Sequence, residues 1–79
     1  MSDDYTPIPC STYSEYELCI IQGCKLRVYW HDTGGLDHCE TLQPQDLLTQ
    51  SGAEFMVARN SNDETTRIRL DHIVKAEEV

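Results

Sequence analysis

From Lys25 the chain alternates with a period of two. Leu26, Val28 and Trp30 share one phase and Arg27, Tyr29 and His31 the other, which predicts a strand with one buried face. Asp32-Thr-Gly-Gly35 predicts a hairpin turn, with glycines for positive φ. A second strand is expected over 36–43, though its alternation is weak. Pro44 should end it, because proline cannot donate to a ladder. Residues 45–50 read as a helical turn and Ser51-Gly52 as a further turn. A third strand follows over 54–59, with Phe55 and Val57 on one face, then a polar turn over 60–64. Thr66, Ile68 and Leu70 alternate with Arg67 and Arg69 in a fourth strand. Asp71-His72 breaks the chain before a short fifth strand around Ile73 and Val74, and the tail over 77–79 reads as loose.

Before Lys25 the period is helical. Tyr13, Tyr16, Ile20 and Cys24 form one apolar face, while Ser14, Glu15, Glu17 and Gln22 lie opposite, interrupted by Leu18. Gly23 suits the residue just past the helix end. Thr12-x-x-Glu15 and Ser14-x-x-Glu17 both match a capping box. Thr12 is the preferred N-cap, which gives a helix over 12–23 with both glutamates in its first turns, favoured by the dipole. Pro7 and Pro9 push the preceding residues toward extended conformations, so an arm anchored by Ile8 should precede the helix, after a loose segment over 1–4.

One helix followed by five short strands over 25–76 predicts a mainly β domain spanning 1–79, built as a small SH3-like or Sm-like barrel. An OB-fold, which more often carries its helix between the third and fourth strands, is the alternative. A chain of 79 residues is the length of one domain, and its core must be compact.

Charge narrows the function. The chain carries 14 acidic and 6 basic residues, a formal net charge of −8. That balance argues against a general nucleic-acid binder and suits a module that meets a basic partner surface. No run approaches the ~20 apolar residues of a membrane span. The opening Met-Ser-Asp-Asp lacks the features of a signal peptide, so a cytoplasmic location is expected. Cys10, Cys19, Cys24 and Cys39 match no close-pair spacing of structural zinc sites, even with His31, His38 and His72 counted. The cysteines are therefore expected as reduced thiols, with no metal and no cofactor. A zinc-bound structural domain is a weaker alternative.

No catalytic constellation holds together. His38 and Cys39 are neighbours on a strand and point to opposite faces. Glu15 and Glu17 sit on an exposed helix face with nothing to desolvate them. No glycine loop suited to cradling phosphate is present. The residues describe a non-enzymatic interaction module.

Tyr5-x-Pro7-Ile8-x-Cys10-x-x-Tyr13, followed by Glu17-Leu18, resembles the opening of the Rof (YaeO) family of Rho-binding antiterminators. Residues 66–73, Thr-Arg-Ile-Arg-Leu-Asp-His-Ile, resemble its closing strands, and the stretches at 32–35 and 46–48 fall where the family has a turn and a short connection. The resemblance covers nearly the whole chain. It implies the Sm-like variant of the barrel. It also implies that the chain binds transcription termination factor Rho on the RNA-binding surface of Rho's N-terminal OB-fold, and so inhibits termination. The expected contacts are Tyr13, Ser14, Glu15 and Glu17 on the helix, with Asp46, Gln50 and Ser51 before the third strand as a second patch. Where the family carries an acidic residue after the first helix tyrosine, this chain has Ser14, and Glu15 supplies the charge one place on. The expected state is a monomer without direct nucleic-acid or membrane contacts. A competing reading is an Sm-like RNA-binding or RNA-chaperone module, with Lys25, Arg27, Arg67 and Arg69 as a basic strip.

Overall fold

The computed structural model describes residues 7–79. The expected loose segment over 1–4, with Tyr5 and Thr6, lies outside the described residues. Helix α1 spans Cys10–Gln22, and five strands follow: β1 Leu26–His31, β2 Asp37–Gln50, β3 Ala53–Arg59, β4 Thr65–Arg69 and β5 Ile73–Glu78. All pairings are antiparallel, and the sheet runs in the order β4-β3-β2-β1-β5. The protein is thus mainly β, with one N-terminal helix before a barrel-like sheet. That sheet does not close among the described residues, since β4 and β5 are its two edges.

The helix begins earlier than expected. Pro9 is the N-cap, with an extended ψ of 145°, and its carbonyl accepts from the Tyr13 amide at 3.1 Å. Thr12 is therefore inside the first turn, not at the cap, and no side chain caps the helix. The first turn holds no acidic residue, so Glu15 and Glu17 sit further along than the capping boxes implied. The physical reason is that Pro9 stops constraining the chain after itself, so the three residues before Tyr13 are free to wind. Ile8 packs against the core, as the arm reading required. At the other end Gly23 adopts φ 71°, and the helix stops there as expected.

On β1 the alternation holds: Leu26, Val28 and Trp30 are buried. The Asp32–Gly35 turn also forms. Asp32 Oδ1 accepts from the amides of Gly34 at 2.9 Å and Leu36 at 3.0 Å, and Gly35 takes φ 85°. His38 Nε2 hydrogen-bonds Asp32 Oδ2 at 2.8 Å. That bond, then the Leu36 amide, holds the Asp32 carboxyl below its ordinary value of 3.8; slight desolvation opposes and the Gly34 amide assists. A depressed folded value means that the turn's stabilisation is present above the ordinary value and is lost as pH falls through the lower, folded one. The gap in Tm between the parent and Asp32→Asn should therefore narrow as pH drops from about 5 to about 2. A gap that stays constant across that range would show that the ionised carboxylate does not support the turn.

Strand β2 differs most from expectation. Pro44 does not end it: the strand runs fourteen residues, and the stretch over 45–50 is extended, not helical. Its first half pairs β1, with Leu42 opposite Leu26; its second half pairs β3, with Leu47 opposite Met56. Pro44 is fully buried at the changeover, beside a register shift between Pro44 and Asp46. A bulge is where a strand tolerates the missing N–H of proline.

The core is filled by Leu42, Met56, Val28 and Leu70, all buried almost completely, with Ala58, Ile68 and Trp30 around them. Met56 and Ala58, not Phe55 and Val57, are the buried phase of β3. Leu70–His72 forms a single 3-10 turn at the expected break. Residues 77 and 78 are not loose: β5 pairs β1 as far as Glu78 opposite Leu26, and the Val79 amide donates to the Lys25 carbonyl at 3.2 Å. The cysteines also differ from the reduced set expected. Cys19 and Cys24 form a disulfide, while Cys10 and Cys39 are free and exposed.

Candidate partner-binding face

Helix α1 lies mainly against β2, with Tyr16 and Cys19 as its buried residues. Positions four apart share a helix face. Tyr13, Glu17 and Ile20–Ile21 therefore form one ridge toward the second half of β2. There they border a shallow hollow of about 200 Å³, whose other wall is Asp46 and Leu47. Two acidic residues expected in separate patches, Glu17 and Asp46, thus share one site with Tyr13.

The electrostatics record the convergence. Desolvation raises the Tyr13 pKa first, and the carboxylates of Glu54, Glu17 and Asp46 raise it further. Three negative charges from α1, β2 and β3 thus act on one phenol and add to desolvation in favouring its neutral form. Asp46 is itself fixed, accepting from the Leu47 amide through Oδ1 at 2.9 Å. Beside these charges, Ile21 is 81% exposed, the most exposed large apolar side chain among the described residues. The face joins negative charge, a phenol and unburied aliphatic surface.

The other expected contacts lie elsewhere. Ser14 is exposed and is not among the residues that border the Tyr13 hollow. Glu15 is about 200° around the helix from Tyr13 and borders a different cleft with Leu26, Ala76 and Glu78. Gln50 ends β2 and accepts from Arg67 Nη1 at 2.7 Å. Ser51 sits in the β2–β3 turn with φ 54°. Sequence reasoning missed Ile21, Leu47 and Glu54. The helical spacing from Tyr13 marks Ile20 and Ile21, but nothing local marks Leu47, because the second half of β2 did not read as a strand, and Glu54 opens β3 with no signal that places it near Tyr13.

Of the expected basic strip, Lys25 and Arg27 lie just before and on β1, and Arg67 and Arg69 on β4, which does not pair with β1. Arg27 is opposite Glu77 on β5. Arg67 lies over the Phe55 ring at 5.7 Å, and Arg69 makes a two-point ion pair with Asp71 at 2.9 and 2.8 Å. Among the described residues no group of three or more His, Cys, Asp and Glu is arranged to hold a metal ion. No helix there is long and apolar enough to cross a membrane.

No protein-family model matches the chain, and no curated protein sequence matches it. Among solved structures, the chain is similar to proteasome accessory factor B/C (PafBC) of Arthrobacter aurescens, with a TM-score of 0.78 and 16% sequence identity. The match covers 96% of this chain and 12% of that one. At that identity the likeness speaks for the fold.

Proposed function

We propose that this chain is a non-enzymatic, acidic protein-binding module that occupies the RNA-binding surface of termination factor Rho and thereby inhibits Rho-dependent termination. The observation that carries the reading is the joining of Glu17 and Asp46, 29 positions apart in the sequence, around the Tyr13 hollow. A groove that holds single-stranded nucleic acid combines positive charge with surfaces for stacking. Carboxylates beside a phenol and the exposed Ile21 offer such a groove both complements. The partner's identity rests on the resemblance carried by the stretches at 5–18 and 66–73.

The RNA-binding alternative has less support. Two of its three arginines are engaged within the chain, Arg69 with Asp71 and Arg67 with Gln50. The net charge of −8 also opposes phosphate.

The test is capture of purified Rho by the immobilised chain at low salt, with and without single-stranded RNA. Rho should be retained, and both RNA and added salt should release it, because the exposed part of the attraction is screened. Absence of capture removes the reading. Capture that RNA does not reverse removes the competitive mechanism. Direct, salt-sensitive binding of labelled RNA to the chain would favour the alternative.

A further inference from the structure

The helix end and the first strand are tied by chemistry that the binding face does not use. Gly23 in the left-handed region turns the chain back on the last helical turn. The Cys24 amide then donates to the Cys19 carbonyl at 3.1 Å, and the Gly23 amide to the Ile20 carbonyl at 3.2 Å. This reversal brings the two Cα atoms to 5.1 Å, within ordinary disulfide reach, and the sulfurs are bonded. Four residues lie between the two, so the backbone cap brings them within bonding reach. Such a pair re-forms readily.

The bond is also accessible. Cys19 is buried at 5% exposure, whereas Cys24 is half-buried. Both line an open cleft of about 190 Å³ between α1 and the β1–β5 pair, with Glu15 and Glu78 in the same lining. Both glutamates are exposed. The approach to the sulfurs is therefore acidic.

We infer that Cys19–Cys24 is a reversible thiol–disulfide exchange site that selects neutral or cationic thiols over anionic ones. An incoming thiolate attacks Cys24 Sγ, the more open sulfur, along the S–S axis. A mixed disulfide forms on Cys24, and Cys19 leaves as a thiolate that takes up a proton. The second thiol of a dithiol reductant then displaces Cys24. In sum the dithiol becomes a disulfide, and two electrons and two protons pass to Cys19 and Cys24. Oxidation by a small disulfide runs the same steps backward. Cys19 is one of the two buried residues of α1 and Cys24 lies two residues before β1, so the bond ties the C-terminal turn of α1 to the segment that leads into β1. Reduction releases that turn while leaving the sheet intact. This inference does not depend on the identity of the partner.

The experiment uses the full chain with Cys10→Ser and Cys39→Ser, which removes the two exposed free thiols. Air-equilibrated protein should show no reactive thiol, and dithiothreitol should expose two. Reduction should speed amide exchange in the last turn of α1 by about tenfold and leave the β2–β3 amides unchanged. At low salt, with each rate taken per thiolate and relative to the same thiol's rate on a small uncharged disulfide, cysteamine should open the bond at least about tenfold faster than 3-mercaptopropionate, and Glu15→Gln with Glu78→Gln should narrow that ratio. Two reactive thiols in the air-equilibrated protein would overturn the site. Identical exchange in both forms would overturn the clamp, and equal rates for the two thiols would overturn the acidic selection.

Discussion

Glu17→Lys combined with Asp46→Lys is expected to weaken capture of Rho by at least about a hundredfold. The two carboxylates border one hollow, so reversing both replaces attraction with repulsion over the same contact area. Like charges brought together at an interface cost several kcal/mol, and about 2.8 kcal/mol is already a hundredfold. Both side chains are exposed, so the fold should survive with a change of about half a kcal/mol per site. Glu15→Lys is the internal control. It carries the same charge change on the same helix but borders the other cleft, and it should lose far less affinity. Titration of labelled variants against Rho at fixed salt decides the matter. If Glu15→Lys proves as damaging as the double reversal, net charge rather than this face governs the encounter.

Trp30→Ala should remove much of the stability of the domain. Trp30 is 9% exposed, in phase with Leu26 and Val28, and its ring stacks on His38 with centroids 5.1 Å apart. Truncating a buried tryptophan costs about 3–5 kcal/mol. A chain of this size has in total about 4–12 kcal/mol at roughly 0.05–0.15 per residue. Urea denaturation followed by circular dichroism should show the midpoint collapse, whereas Ile21→Ala, on an exposed residue, should barely move it. A variant losing less than about 1 kcal/mol would mean that the stack with His38 and the β1 phase do not anchor this end of the core.

The same residues explain what could be read from the sequence. β1 was legible because its buried face is wholly apolar and its other face is not, so the period of two stands out. The turn over 32–35 was legible because Asp32 and the glycines supply its hydrogen bonds and its positive φ locally. β2 was not, because its inward phase changes along its length. Leu42 and Pro44 face the core at even positions, Leu47 at an odd one, and the bulge between them breaks the alternation. β3 offered four successive apolar residues, which satisfy either phase; only the pairing of Met56 with Leu47 and Ile68 selects one. The helix start was misplaced for a related reason. A capping box is a local preference, and Pro9 sets the boundary before that preference can act. Of the candidate site, Tyr13 and Glu17 were both named from the sequence, but the apolar periodicity set them on opposite faces, whereas they border one hollow. Their union with Asp46 was not legible, since it depends on the bulged strand passing alongside α1.

The bulge makes one position of β2 unlike the rest. Pro44 is opposite Ala58 and Asp46 opposite Val57, which leaves Gln45 without a partner of its own. Losing Gln45 would bring the two halves into regular pairing with every side chain still on its present face. Losing Thr41 instead would reverse the residues beyond it and turn Leu42 toward water. Tolerance to changes in chain length is therefore concentrated at a single residue. As such sequences diverge, gaps inside this strand should accumulate at position 45 and be purged on either side of it.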